Sequence, residues 1–433
     1  MLDKSDTAAG ADEAARPDHG GVPAAGRDLN GSTLGGAGGT TSGLAEDFDL
    51  NAPELAEDPY PTYEGLRAQC PVARSQRLGW VVSGYQEAYE ATCDHRTFRS
   101  DWGAKAPIPA NIPRTTEPEH SDFMSYTAFH LLPIEVDPPV HGPYRKILQS
   151  MFASRAVQEA WAGDARRIAD ELIDEIAGRR EAEFVTEFSM PMSGRMLATA
   201  AGIDEAERDL FQELTLDLHK NIGAVNDFLH RAITKADKGA FAVLNQATLD
   251  GRPLTMEEKQ GYGVVLLHAG WETTASAISN MMFRLATEPS LRGQLLANAA
   301  LVPRAVEEFL RIDPPVQGLW RTAGRESGLA GARIQRGDKV LLLWGSANRD
   351  ALKFENPDSV VLDRDPNPHL AFGVGVHRCL GAHLARLELN VSLERVLRRL
   401  PEFRIKAGEW PVRVNGAVRA THRLPVEFLP EAS

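Results

Sequence analysis

The chain is expected to fold as a mainly α protein with a small share of strand, and three observations carry that expectation. Apolar residues recur at helical spacing through residues 157–178 and 205–219. Thr255-Met256-Glu257-Glu258 reads as a capping box and opens an apolar run that continues to about residue 287. Residues 383–397 form another such run, immediately after a glycine-rich turn. Strand signals are short by comparison: Trp80-Val81-Val82, and the continuous apolar run Lys339-Val340-Leu341-Leu342-Leu343-Trp344.

Length and composition set the frame. At 433 residues the chain exceeds a usual single core, yet no internal linker divides it after about residue 45. Residues 1–45 are rich in Gly, Ala, Thr and Asp and bury too little to order themselves, so a disordered leader and one domain over 46–433 are expected. A hydrophobic share of 43% is ordinary for a globular protein, and a net charge of −13 argues against nucleic acid as a partner. Three cysteines offer no disulfide framework. No run is apolar for long enough to span a membrane, and the first residues lack the basic and apolar regions of a signal peptide. A cytoplasmic protein is expected.

In chain order, structure is expected to begin near Asp58-Pro59-Tyr60-Pro61, with a short helix over 63–69, the strand at 80–82 and a helix over 85–93. Residues 100–130 carry Pro107, Pro109, Pro113 and Pro118 and read as a long loop, of the kind that forms lids or pocket walls. Asp137-Pro138-Pro139 reads as a helix start, which places His141 and Arg145 on one helix face. A short helix over 303–311 sets Glu308 and Arg311 three apart, and residues 313–319 should be extended.

The chemistry concentrates in Phe372-Gly373-Val374-Gly375-Val376-His377-Arg378-Cys379-Leu380-Gly381-Ala382. This turn offers backbone N–H groups to a thiolate, and the helix after it points its positive end at the same anion. Gly373, Gly375 and Gly381 are expected to take positive φ or to let the backbone approach something flat, with Phe372 covering the sulfur. A thiolate held this way suits a soft or redox-active metal. Zinc fits poorly, because His377, Cys379 and His383 cluster without a second cysteine to complete a tetrahedral set. Cys70 and Cys93 read as small buried hydrophobes. A second unusual stretch, His268-Ala269-Gly270-Trp271-Glu272-Thr273-Thr274, lies at the centre of the long helix. Glycine, threonines and an acid are unfavourable there, and a threonine hydroxyl bonding back to the carbonyl one turn earlier predicts a bulge or kink.

F-G-x-G-x-H-x-C-x-G, matched at every fixed position, resembles the haem-thiolate loop of the cytochrome P450 family. A-G-x-E-T-T at 269–274 is similar to that family's oxygen-activation segment, and Glu308-x-x-Arg311 to its E-x-x-R pair. The resemblance spans roughly residues 50–430. It implies a mainly α cytochrome P450 fold with a smaller β lobe and haem b (iron protoporphyrin IX) between long helices. Cys379 would be the axial iron ligand. His141, Arg145 and Arg321 would meet the propionates, and Phe372, Gly373, His377 and Gly381 would belong to the haem-binding loop. Ala269 and Gly270 would make room for dioxygen, Thr273 would donate to the oxygen being cleaved, and Glu272 would relay protons from solvent. Glu308 and Arg311 would form a buried structural pair behind the loop.

The activity implied is a monooxygenase that inserts one atom of dioxygen into a small apolar organic substrate. Hydroxylation is the default outcome, and aromatic coupling, epoxidation or dealkylation start from the same oxidant. Electrons would come from a separate ferredoxin-type donor with its NAD(P)H-dependent reductase. The chain shows neither a G-x-G-x-x-G turn in strand–helix context nor a cysteine cluster. Lys146, Arg378 and Arg386 are expected to form a basic docking patch. A peroxide-driven peroxygenase and a non-catalytic haem sensor or carrier are the rival readings, and the Glu272–Thr273 relay weighs against both. The stretch from Gly202 to Asp250 looks shorter than in relatives, so the substrate is not legible. Lys105, Arg114 and Lys220 read as solvated charges.

Overall fold

A computed structural model describes residues 43–100, 131–216 and 218–429. The expected lid at 101–130, with Lys105 and Arg114, lies outside the described residues, as do the side chain of Lys220 and all but the last three residues of the expected leader. Order begins earlier than Asp58: Ala45, Phe48, Leu50 and Leu55 are buried with Tyr60, Tyr63 and Leu66 in one apolar cluster. Two bulky side chains, Phe48 and Leu50, suffice to anchor a stretch whose composition otherwise resembles the leader.

Helices dominate. The first group comprises α1 (Tyr60–Gln69), α2 (Tyr85–Cys93), α3 (His141–Gln149) and α4 (Ser154–Ala177). Then follow α5 (Met190–Ala201), α6 (Arg208–Leu216), α7 (Leu218–Lys235) and α8 (Gly239–Gln246). The central pair is α9 (Met256–Gly270) and α10 (Glu272–Thr287), after which come α11 (Pro289–Ala297), α12 (Val302–Ile312), α13 (Trp344–Ala347) and α14 (Ala382–Arg399). α5 ends where Gly202 takes φ +89, with the Lys238 carbonyl so close that a Cβ would meet it at 2.0 Å. The capping box forms as expected: Thr255 accepts from the N–H of Glu258, whose side chain accepts from the N–H of Thr255. Glu258 also accepts from the Tyr144 hydroxyl (2.6 Å) and Arg252, so the start of α9 is tied to α3.

Five short strands make the main sheet: β1 (Val72–Ser75), β2 (Gly79–Val82), β3 (Phe98–Arg99), β4 (Leu319–Ala323) and β5 (Lys339–Leu342). Their order is β1-β2-β5-β4-β3, antiparallel except for the parallel β2–β5 pair. The expected strand at 339–344 stops at Leu342, and Trp344 begins α13 instead. Its unbroken apolar run reflects burial on both sides, which periodicity alone does not separate from helix.

α14 is the hub of the helical core. Leu384, Leu387, Leu389, Leu393 and Val396 are buried in the same cluster as Ile168, Leu172 and Ile176 of α4 and Ile278, Met282 and Leu285 of α10. α12 packs on it as well. The expected buried pair forms on α12: Arg311 and Glu308 are bonded at 2.8 Å with both side chains fully buried. Arg311 also donates to the carbonyls of Asn348, Pro357 and Ser359, and Glu308 accepts from Val361, Arg364 and Asn367. With each polar atom partnered, the pair locks the segment that leads into the cysteine loop.

Candidate active site

A cavity of about 300 Å³ lies between the α9–α10 pair and the start of α14, walled by Phe152, Leu197, Val265, Leu266, Val316 and Leu319. His141, Arg145, Ala269, Gly270, Glu272, Thr273, Arg321, Phe372, His377, Cys379 and Gly381 all line it, although they are scattered over some 240 positions. Gly373 does not. It is buried at φ +62, where a Cβ would touch the Trp344 ring at 3.4 Å, so it shapes the turn from behind.

The cysteine turn is built by its backbone. The N–H of Cys379 donates to the Phe372 carbonyl at 2.8 Å, and Gly375 at φ +70 lets the turn close on the end of α2. Of the two expected uses, Gly381 does not take positive φ: its φ is −79, an ordinary right-handed value. A Cβ there would meet no atom within 4 Å, so its contribution is open space on the cavity side. Cys379 opens onto the cavity and is otherwise surrounded by protein. Burial pushes its thiol up, while the Gly381 N–H and the cations Arg145, Arg386 and Arg378 pull the other way. In this geometry a bound metal would tip the balance to thiolate.

Positive and imidazole groups gather at the cavity edge. His377 Nε2 lies 2.9 Å from Asp137 Oδ1, which leaves its other ring nitrogen for a ligand. Asp137 is buried and also accepts from the N–H of Ser100 (2.9 Å). Its role was not legible in the sequence, where it read only as a helix start. The helix begins four residues later, at His141. The His141 and His377 rings stand 4.4 Å apart. His141 is buried, and its Nε2 has no hydrogen-bond partner among the described residues. Burial, His377 and Arg145 push its pKa down to about 4. Arg321 on β4 is buried and donates to the Trp320 carbonyl at 2.8 Å, and burial pulls its pKa down to about 10. Arg145 donates to the Arg378 carbonyl at 2.7 Å. A buried guanidinium, Arg321, and a half-buried one, Arg145, beside an orphaned imidazole call for an anion with several oxygens, and two propionates meet that demand. The residues present therefore fit a haem with a cysteine ligand.

On the facing wall the long helix does not merely kink. It breaks at Trp271 (φ −95, ψ −67) into α9 and α10. The Thr273 hydroxyl donates back to the Ala269 carbonyl at 2.7 Å, as expected. Two features that went unread hold the break. Ser193 Oγ on α5 donates to the Trp271 carbonyl (2.9 Å) and approaches that of Gly270 (3.3 Å), and Trp271 Nε1 donates to the Met190 carbonyl (2.9 Å). Gly270 is needed for packing: a Cβ there would lie 3.0 Å from Leu197 Cδ1.

The expected basic patch needs correcting at one position. Arg386 forks onto Glu307 (2.6 and 2.7 Å), which also meets His369 Nε2 at 3.0 Å, and its guanidinium lies 4.4 Å over the Phe372 ring. Burial raises Glu307, but Arg386 and His369 outweigh it and hold its carboxyl down to about 2. Arg386 is thus a paired wall behind Phe372, while Lys146 and Arg378 remain exposed.

Comparison with known proteins agrees with this site. Residues 183–412 match the family described as Cytochrome P450. The chain is 30% identical over 397 residues to the biotin biosynthesis cytochrome P450 of Bacillus subtilis, covering 87% of this chain and 97% of that one. It is 30% identical over 416 residues to the vitamin D(3) 25-hydroxylase of Pseudonocardia autotrophica, covering 91% and 99%. Among solved structures, a cytochrome P450 from Chondromyces apiculatus superposes with a TM-score of 0.79 at 30% identity, covering 90% of this chain and all of that one.

Proposed function

Because the chain belongs to the cytochrome P450 family, whose members here are monooxygenases, we propose that it binds haem b through Cys379 and hydroxylates a small, largely apolar molecule. One oxygen atom enters a C–H bond, and the other leaves as water with two electrons and two protons. When bound, haem supplies the redox iron at which dioxygen is cleaved, with electron push from the cysteine sulfur.

The chain's own residues would do the rest. The Phe372 carbonyl and Gly381 N–H fix Cys379, while His141, Arg145, Arg321 and His377 hold the propionates. Phe152, Leu197, Val265 and Leu266 keep bulk water from the reacting carbon. Thr273 and Glu272 stand at the break between α9 and α10, where an open turn lets them hold and pass protons. The observation that carries the reading is that Cys379, Thr273 and the orphaned His141 nitrogen share one cavity. The relatives whose names state steroid and vitamin D oxidation support a substrate with an apolar carbon frame.

Electrons would come from a separate ferredoxin-type donor with its NAD(P)H-dependent reductase in the cytoplasm, meeting the exposed Lys146 and Arg378. No helix of the described residues is long and apolar enough to cross a membrane.

The primary test is the spectrum of the reduced, carbon-monoxide-bound protein together with labelled dioxygen. The thiolate-shifted band and one labelled atom in the product are expected, and Cys379→Ser should abolish the band. Thr273→Ala should keep haem and substrate binding while diverting at least about tenfold more of the reducing equivalents to hydrogen peroxide. Tight coupling in that variant would remove Thr273 from the mechanism.

A further inference from the structure

One imidazole in the cavity wall has no part in the scheme above. His268 lies in the last turn of α9, three positions after Val265 and directly before Ala269, and all three line the cavity. Helical spacing sets 265, 268 and 269 on one face, so His268 belongs to the stripe that looks onto the reacting atoms. It is half-buried. The wall around it is apolar: Val265 and Leu266 on its own helix, and Leu197 of α5, which packs against Gly270.

An imidazole in such a wall loses water when an apolar molecule fills the cavity. That loss is costly unless the molecule brings an atom that can hydrogen-bond. The haem propionates are met by His141, Arg145, Arg321 and His377, on α3, β4 and the cysteine loop rather than on α9, so His268 is left to the substrate. A substrate carboxylate fits poorly, because it would be set against the carboxyl of Glu272, which lines the same cavity one turn on. A neutral hydroxyl or keto oxygen meets no such opposition. An imidazole serves either, accepting from an O–H at one ring nitrogen or donating its N–H to a carbonyl from the other.

We propose that His268 recognises the substrate through a hydrogen bond to a neutral hydroxyl or keto oxygen on an otherwise apolar frame, and so decides which carbon is oxidised. The proposal rests on the monooxygenase reading and narrows its substrate. His268 precedes Thr273 by five positions, about 7.5 Å along a helix axis. The anchored oxygen and the carbon attacked beside Thr273 therefore belong to different parts of the frame, and the new oxygen enters remote from the existing one. No bond to His268 forms or breaks in turnover; the imidazole acts by orienting the molecule.

The test is titration of the haem-loaded protein with four ligands on one fused-ring frame: the hydrocarbon, and the same frame bearing one hydroxyl, one keto group or one carboxylate. Affinity is read from the haem spin-state shift and independently by calorimetry. His268→Leu should weaken the hydroxyl and keto ligands about three- to tenfold while the hydrocarbon binds as well or better. His268→Gln, which keeps a donor and an acceptor, should restore most of that loss. An equal change for all four ligands marks a packing role and overturns the proposal, as does no change for any of them. A carboxylate weakened more than the neutral ligands overturns the assignment of a neutral oxygen. With the keto ligand, wild type should yield one product oxidised away from the carbonyl and His268→Leu a mixture; the same single product from both would remove His268 from the choice of carbon. Failure of the monooxygenase reading would appear separately, as absence of the thiolate-shifted band or of label in the product, whereas calorimetry reads the ligand preference without turnover.

Discussion

His141 shows how a single side chain can be shaped by a group it has yet to meet. Its Nε2 is orphaned, and its pKa is pushed down to about 4 by burial and by the neighbouring His377 and Arg145. Before loading it is neutral across the physiological range. As pH falls from 6.5 towards 4 the unfolded chain takes up a proton that the folded chain refuses, so the empty fold loses stability over that window. A propionate at Nε2 reverses the shift, because a carboxylate favours the charged imidazole. Haem uptake should then draw a proton from solution, and haem should leave faster at about pH 8 than at about pH 6. His141→Phe is expected to speed haem transfer to an acceptor protein by about tenfold or more and to flatten that pH dependence, since it removes a hydrogen bond to a charged group worth about 1.5–3 kcal/mol. Unchanged transfer rates would place the propionates elsewhere. The sequence showed His141 and Arg145 on one helix face, but not the Asp137 carboxylate that fixes His377, because a partner 240 residues away leaves no local signal.

The break between α9 and α10 belongs to the scale of elements. A helix interrupted inside a core exposes carbonyls that need donors, and Ser193 supplies one to the Trp271 carbonyl and leans on that of Gly270. Ser193→Ala should cost about 0.5–1.5 kcal/mol in denaturant unfolding, because the Trp271 carbonyl keeps the Ala275 N–H (3.0 Å) and loses only its second donor. It should also raise hydrogen peroxide release part of the way towards the Thr273→Ala level, since the position of Thr273 depends on the same turn. Loss of stability with full coupling would separate the break from proton delivery. The unfavourable residues at 269–274 were legible as a disturbance, and the back-bond from Thr273 formed as expected. The donor that stabilises the disturbance lies on another helix and was not legible.

At the scale of the whole molecule, segments some 350 residues apart in the chain, around Tyr60 and around Arg413–Arg419, meet at Asp313. This buried carboxylate accepts from the Tyr60 hydroxyl (2.7 Å), Arg413 (2.5 Å) and Arg419 (2.9 Å), while Arg349 lies 3.3 Å over the Tyr60 ring. Burial raises Asp313, but Arg413, Arg419 and Arg284 outweigh it and hold the carboxyl well below its ordinary 3.8. Its stabilisation is therefore fully present above 3.8 and is lost only as pH falls below that value towards the folded one. Asp313→Asn should cost about 3–5 kcal/mol at neutral pH by stranding buried guanidinium groups, and thermal unfolding should show the gap from wild type closing only in strong acid. An unchanged midpoint at neutral pH would deny the cluster its role. Residues 313–319 read as an extended wall, which Pro315, Val316 and Leu319 fulfil. That Asp313 turns the other way, to join α1 with the last strands, follows from Arg413 and Arg419, a hundred positions downstream.

Glu307 and Glu308 are neighbours on α12, yet they hold partners on different sides: Glu307 grips Arg386 and His369 beside the cysteine loop, and Glu308 grips Arg311 in the core. Consecutive positions on a helix diverge by about 100° around its axis. α12 is thus pinned like a shaft with two keys set at an angle, and it cannot roll in either direction without withdrawing one of them. A donor protein pressing on the loop face would push against Phe372 and Arg386 and transmit that load to the helix without turning it. A sulfur carried on that loop would keep its aim under such a load.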